Sequence, residues 1–194
     1  DPHDPSVSTG VHCRSLLVID TGVPLDHQCG ALVGRGGSTR PMTEMVSVSR
    51  EIAASPEEVW ALVTDLTAMG RWSPENRGGM WIGGATGPAV GARFLGRNGR
   101  GKRVWPTVVT VSEYEQSRRF AFGLRIGRLG GADWVYDIEP TEQGCLVTET
   151  WVDRRTRLLA RIGTLVTGVS NRANHNRDGI VATLENLALA CENS

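Results

Sequence analysis

The chain has 194 residues and balances 21 basic against 21 acidic side chains, for a formal net charge of zero. A neutral total supplies no long-range field to recruit nucleic acid or an anionic membrane. No apolar run approaches the roughly 20 residues that a membrane-spanning helix needs.

Residues 1–41 contain His3, His12, His27 and four prolines, and neither an aromatic residue nor a sustained periodicity. Such a stretch has too little apolar surface to offset the entropy of ordering it. It is expected to be disordered, or a leader or expression-derived segment, with one domain over 42–194. Leu16-Leu17-Val18-Ile19 is too short for a signal-peptide core, and no small-residue cleavage site follows, so the protein is expected to be cytoplasmic. Cys13, Cys29, Cys145 and Cys191 form neither a CxxC pair nor a regular framework and read as free thiols. The histidines and cysteines fit no zinc spacing, and no metal or cofactor is expected.

Regular signals begin at residue 46. Val46, Val48 and Ile52 alternate as in a strand. Ser55-Pro56-Glu57-Glu58 reads as an N-cap, a first-turn proline and a capping box. Val59, Trp60, Leu62 and Val63 then form the buried face of a helix. Asp65 is expected to cap a second short helix ending at Gly70. Six strands follow at about 79–83, 91–97, 103–113, 118–126, 132–140 and 144–152. With no helix between them they pair antiparallel, since parallel pairs require long crossovers.

The remainder is helical. Leu158, Ile162, Leu165, Val169, Ala173, Ile180, Leu184, Leu187 and Cys191 recur at spacings of three and four, with a gap at Asn176. One straight helix over 155–191 would run about 55 Å, too long for the domain. Gly163 and Gly168 predict a break between 163 and 171, with Ser170 or Asn171 capping the final helix.

An antiparallel sheet this wide curls, and one helix laid across its concave side leaves part of the space as a cavity. The order of elements, with "IAASPEEVWALVTDLTAMGRWSP", "FAFGL" and "WVYDIEPTEQGCLVTETWVDRR" in their places, resembles the START-like or helix-grip fold. More specifically, the sequence over 42–191 is similar to the polyketide cyclase/dehydrase and lipid-transport branch of the SRPBCC superfamily. The resemblance implies an α+β fold: a curved antiparallel sheet of about seven strands, two short helices after the first, and a long C-terminal helix packed across. It implies less about activity, because that superfamily mixes carriers, cyclases, hydroxylase domains and stress proteins.

Alternation places Phe120, Phe122 and Leu124 on one face, as it does Trp134, Tyr136 and Ile138, Val147, Glu149 and Trp151, and Trp105, Thr107 and Val109. Rings on successive strands suit a ligand-lined hollow. Trp72 and Trp81 flank a glycine-rich segment and are expected at its mouth. Phe94, Ile162 and Asn176 complete the expected lining. A carboxyl at Glu149, facing such a hollow, has its charged form disfavoured unless Arg71, Arg125, Arg154 or Arg155 pairs with it. His175, with Asn174, Asn176 and Asp178 nearby, suits a structural role, a polar contact or acid–base work.

"GRNGRGKR" fits GxxxxGK, but Arg103 replaces the serine or threonine of a phosphate loop and a strand follows. It reads as a hairpin whose Arg93, Arg97, Arg100, Lys102 and Arg103 are solvated or meet an anionic group. There is no GxSxG nucleophile elbow. Two readings stand. The first is a module that binds a hydrophobic small molecule (a lipid, polyketide or aromatic metabolite) between sheet and C-terminal helix. The second is a polyketide cyclase/dehydratase-type enzyme using Glu149, His175 and Tyr136. A regulatory or interaction role for the basic hairpin is a weaker third. No nucleic acid or integral membrane partner is expected, and no oligomeric state is indicated.

Overall fold

The computed structural model describes residues 18–20 and 44–192. Strand β1 is Val18–Asp20 and β2 is Glu44–Ile52, followed by helix α1, Pro56–Thr64. Then come β3 (Asn76–Ile82), β4 (Arg93–Arg100), β5 (Arg103–Glu115), β6 (Arg119–Arg125), β7 (Gly131–Thr141) and β8 (Gly144–Asp153), and finally α2 (Arg157–Thr167) and α3 (Arg172–Glu192). All neighbours are antiparallel in the order β1-β2-β8-β7-β6-β5-β4-β3. The architecture is the α+β helix-grip arrangement. Of the segment 1–41, three residues add an edge strand: Val18, Ile19 and Asp20 pair with Ser49, Val48 and Ser47. The rest of that segment, with Cys13 and Cys29, lies outside the described residues. Cys145 and Cys191 are free thiols.

Local chemistry sets most boundaries. Ser55 Oγ accepts from the Glu58 N–H at 3.3 Å while Glu58 Oε2 accepts from the Ser55 N–H at 2.8 Å, the reciprocal capping box. The helix expected over 65–70 is instead one 3-10 turn, Met69–Arg71. Asp65 Oδ1 accepts from the N–H groups of Thr67 (3.0 Å) and Ala68 (3.1 Å), and this local bonding holds the chain in a turn.

The C-terminal helix breaks at Gly168, whose φ of 72° is left-handed. Asn171, rather than Ser170, caps α3: its Oδ1 accepts from the Asn174 N–H at 3.0 Å. The break resets the rotational phase. On α3 the expected stripe is buried at Ala173, Ile180, Leu184 and Leu187, and Asn176 is buried among them. On α2 the stripe is displaced: Leu159 is buried, whereas Leu158 and Leu165 are 58% and 78% exposed. A stripe continued across a left-handed residue points the wrong way on the far side.

The hairpin joining β4 and β5 is also more than a solvated tip. Arg103 Nη1 donates to the Leu165 carbonyl at 2.7 Å, and Arg100 Nη1 donates to that of Gly168 at 3.2 Å. Two cations thus satisfy the last carbonyls of α2, where the helix dipole favours positive charge. Arg103→Ala should loosen α2: hydrogen–deuterium exchange over 157–167 is expected to quicken about fivefold, as for a lost bond of about 1 kcal/mol, with α3 unchanged. Equal exchange in both proteins would show that the cap does not hold the helix.

The filled core lies where α3 meets β2 and β8 and α1 meets β7 and α3, around Val48, Ile52, Val59, Val63, Leu184 and Leu187. Helix α2 reaches over β5 instead. Between these two supports the sheet's concave face is not filled.

Candidate functional site

Strand register assembles the site. Trp134 stands opposite both Phe122 and Trp151, Tyr136 opposite both Phe120 and Glu149, and Val109 opposite both Phe94 and Leu124. Phe122 and Trp134 stack with centroids 5.9 Å apart at 13°. This face bounds a cavity of about 570 Å³, within the range of small-molecule sites. The sheet contributes Phe94, Trp105, Phe122, Trp134, Tyr136 and Trp151; α2 contributes Leu159, Ile162 and Val166 from across the gap. A second cavity of about 420 Å³ lies between α3, the Ser73–Arg77 segment and the β4–β5 hairpin. The two share Ser73, Glu75, Trp134 and Glu149 as wall residues.

Of the residues singled out from sequence, Phe94, Trp105, Phe122, Trp134, Tyr136, Glu149, Trp151 and Ile162 line the larger cavity. His175 and Asn176 line the smaller, with Trp134 and Glu149 again. Trp72, Trp81 and Phe120 line neither. Trp72 follows the 3-10 turn into the filled core, and its carbonyl accepts from Asn186 Nδ2 at 2.8 Å. Trp81 packs edge-on against Phe94 at 5.2 Å. Phe120 is fully buried among Trp60, Tyr114 and Phe122. The mouth is therefore not built from tryptophans. Ile126, Ile162 and Val166 both line the larger cavity and are exposed, so its opening lies between the β6–β7 turn and α2.

Glu149 is 4% exposed, and burial pushes its carboxyl up to about 8. Among the described residues no arginine forms an ion pair with it. Arg125 and Arg154 both pair with Asp133, and Arg155 grips Asp153 through two bonds of 2.8 and 2.6 Å. Its partner is the Tyr136 hydroxyl, itself raised well above the ordinary tyrosine value by burial and by the carboxyl beside it. At neutral pH the cavity holds a protonated acid, able to donate as well as accept. Glu149 Oε2 and Asn176 Nδ2 are buried without a hydrogen-bond partner among the described residues.

Sequence reasoning missed Glu75. Its carboxylate accepts two bonds from Arg172, at 3.0 and 2.8 Å, and lies 3.4 Å from His175 Nε2. The cluster ties the segment before β3 to the first turn of α3. Glu75 lies in a loop with no periodicity, so nothing local pointed to it. Helical spacing had suggested Asp178 for His175; the tertiary fold supplies Glu75. Among the described residues no group of three or more His, Cys, Asp or Glu side chains is placed to hold a metal ion, and no helix is long and apolar enough to cross a membrane.

A sequence profile of the family described as polyketide cyclase / dehydrase and lipid transport matches residues 43–192. No curated protein matches the chain. Among solved structures, the Polyketide_cyc-like protein Cgl2372 from Corynebacterium glutamicum is 30% identical, over 79% of this chain and 91% of that one, with a TM-score of 0.48. The di-domain ARO/CYC StfQ from the steffimycin biosynthetic pathway is 10% identical with a TM-score of 0.62, over 80% of this chain and 52% of that one. Major latex-like protein 151 from Panax ginseng is 9% identical with a TM-score of 0.59, over 77% and 98%. At such identities the last two show a shared fold.

Proposed function

The chain belongs to the polyketide cyclase/dehydrase and lipid transport family, and from that premise we propose that it encloses one hydrophobic, ring-bearing or lipid-like small molecule between its sheet and its C-terminal helices. The observation that carries this reading is the cavity of about 570 Å³, faced by Phe94, Trp105, Phe122, Trp134 and Trp151. The aromatic walls favour an uncharged guest. The charged side chains of the lining are already paired, Arg125 with Asp133, Arg155 with Asp153 and Arg172 with Glu75, so a charged guest would lose its hydration without a free counter-ion. The opening beside α2 provides a route in.

A second reading is favoured by one observation. Glu149, buried beside Tyr136 with a carboxyl titrating at about 8, is poised near neutrality, where a general acid or base works best. In a cyclase or dehydratase it would move a proton on a substrate folded by the aromatic walls, with Tyr136 orienting it. His175, held by Glu75 in the smaller cavity, would act on the substrate's far end.

Native mass spectrometry of the purified protein tests both. A stoichiometric hydrophobic ligand is the expected result for the binding reading. An empty cavity, with turnover of a poly-β-keto substrate that Glu149→Gln abolishes, is expected for the enzyme. Protein that carries nothing, quenches with no apolar probe and turns over no such substrate would overturn both.

A further inference from the structure

We propose that helix α2 and the two turns flanking it form a docking surface for an anionic lipid bilayer. The surface goes beyond the binding reading and does not depend on it.

Leu158, Ile162 and Leu165 stand at i, i+4 and i+7 on α2, along one face of the helix. That face points to solvent: the three are 58%, 43% and 78% exposed, and Val166 beside them is exposed as well. Leu159 and Thr167 take the buried side. An aliphatic ridge left in water is unfavourable in proportion to its area, and the described residues do not cover it. Apolar surface continues at both ends of the helix. The Thr156 N–H donates to the Leu129 carbonyl at 2.9 Å, which sets the turn carrying exposed Ile126 and Arg128 beside the first turn of α2. Arg103, bonded to the Leu165 carbonyl, brings the hairpin with exposed Lys102 and Val104 beside the last.

Charge decides what covers the ridge. The neutral total conceals a segregation: no acidic residue lies between Asp153 and Asp178, nor between Glu75 and Glu113. Arg157 and Arg161 are exposed beside the ridge. Among the described residues neither they nor Lys102 and Arg128 enter an ion pair. The acids at this end of β7 and β8, Asp133 and Asp153, are held by Arg125, Arg154 and Arg155. Aliphatic side chains edged by free cations match a helix lying in the plane of a bilayer, leucines at the acyl boundary and guanidinium groups at the phosphates. A second copy of the chain would set the same arginines against each other. A protein partner would need a groove shaped to the ridge, whereas a fluid bilayer adapts to it. Ile162 and Val166 also line the larger cavity, so a bilayer seated here lies at the cavity's opening.

The test is co-sedimentation of the whole chain with vesicles of phosphatidylcholine alone and of phosphatidylcholine mixed with phosphatidylserine. Partitioning onto the anionic vesicles is expected to be about tenfold stronger or more, and to fall toward the neutral value in high salt. Arg157→Gln combined with Arg161→Gln should weaken it about tenfold. Leu158→Ser combined with Leu165→Ser should do so by about as much. Both double variants replace exposed side chains outside the cavity wall, so melting temperature and quenching by an apolar probe should stay unchanged. Absence of binding to anionic vesicles, equal binding to neutral ones, or binding that survives both double variants overturns the docking surface and leaves the binding reading standing. A dimer that forms without vesicles and that the leucine variant dissolves also overturns it, since a second copy then covers the ridge. Retention on polyglutamate but not on vesicles overturns it in favour of an acidic protein.

Discussion

Glu149→Gln is expected to leave the protein more stable than the unsubstituted chain at pH 9, by several kcal/mol, and little changed at pH 4. Below the ordinary glutamate value of 4.5 the carboxyl is protonated in folded and unfolded chains alike. Between 4.5 and about 8 the unfolded chain has released the proton while the buried carboxyl still holds it. The folded state therefore binds more protons, and its stability falls as pH rises, by about 1.4 kcal/mol per unit. Above about 8 the deficit is complete. Glutamine keeps the shape and a hydrogen bond for Tyr136 but has nothing to ionise. Urea unfolding of both proteins at pH 4, 6, 7.5 and 9 measures the difference, in which the other titrating groups cancel. A difference that stays constant with pH would show that Glu149 is not held neutral by burial, and the proton-transfer reading would lose its basis.

Gly131→Ala is expected to cost about 3 kcal/mol or more, through overpacking that no side chain can relieve. Gly131 opens β7 opposite Arg125. A Cβ there would lie 1.7 Å from the Leu124 carbonyl oxygen and 2.7 Å from its carbon, both backbone atoms. The strands must part at that point, beside Leu124, Ala132 and Ile126, which line the larger cavity. For a chain of this size the melting temperature should drop by about 6–12 °C, and ligand retention should weaken with it. Gly127→Ala is the contrasting case. Its φ of 48° is left-handed, but a Cβ meets nothing within 4 Å, so only the conformational cost of roughly 1–2 kcal/mol applies. Equal losses at the two sites would mean that the close approach at Gly131 relaxes freely.

The two substitutions act on different features of the same hollow. One removes the titrating group of its interior, and the other the register of strands at its opening. Since Glu149 and Gly131 touch separate neighbours, their effects should add when combined.

What the sequence determined by itself was everything that neighbours along the chain control. Ser55 and Glu58 are three residues apart, so the start of α1 was legible. Strand alternation correctly set the shared face of Phe122, Trp134 and Trp151, and Gly168 marked the end of α2. What only the tertiary structure decided was how far each element reaches across the sheet. Alternation says which side of a strand a ring is on, and not whether a helix or a hollow lies above it. Phe120 and Phe122 share a face, yet one is sealed by Trp60 and the other opens on the cavity. For the same reason Trp72 went to the core. The pairing of Glu75 with Arg172, 97 residues away, and of Arg103 with the end of α2 left no local trace. Such contacts depend on where distant elements are brought together, which is settled when α3 packs on β2 and β8 and α2 is carried out over β5.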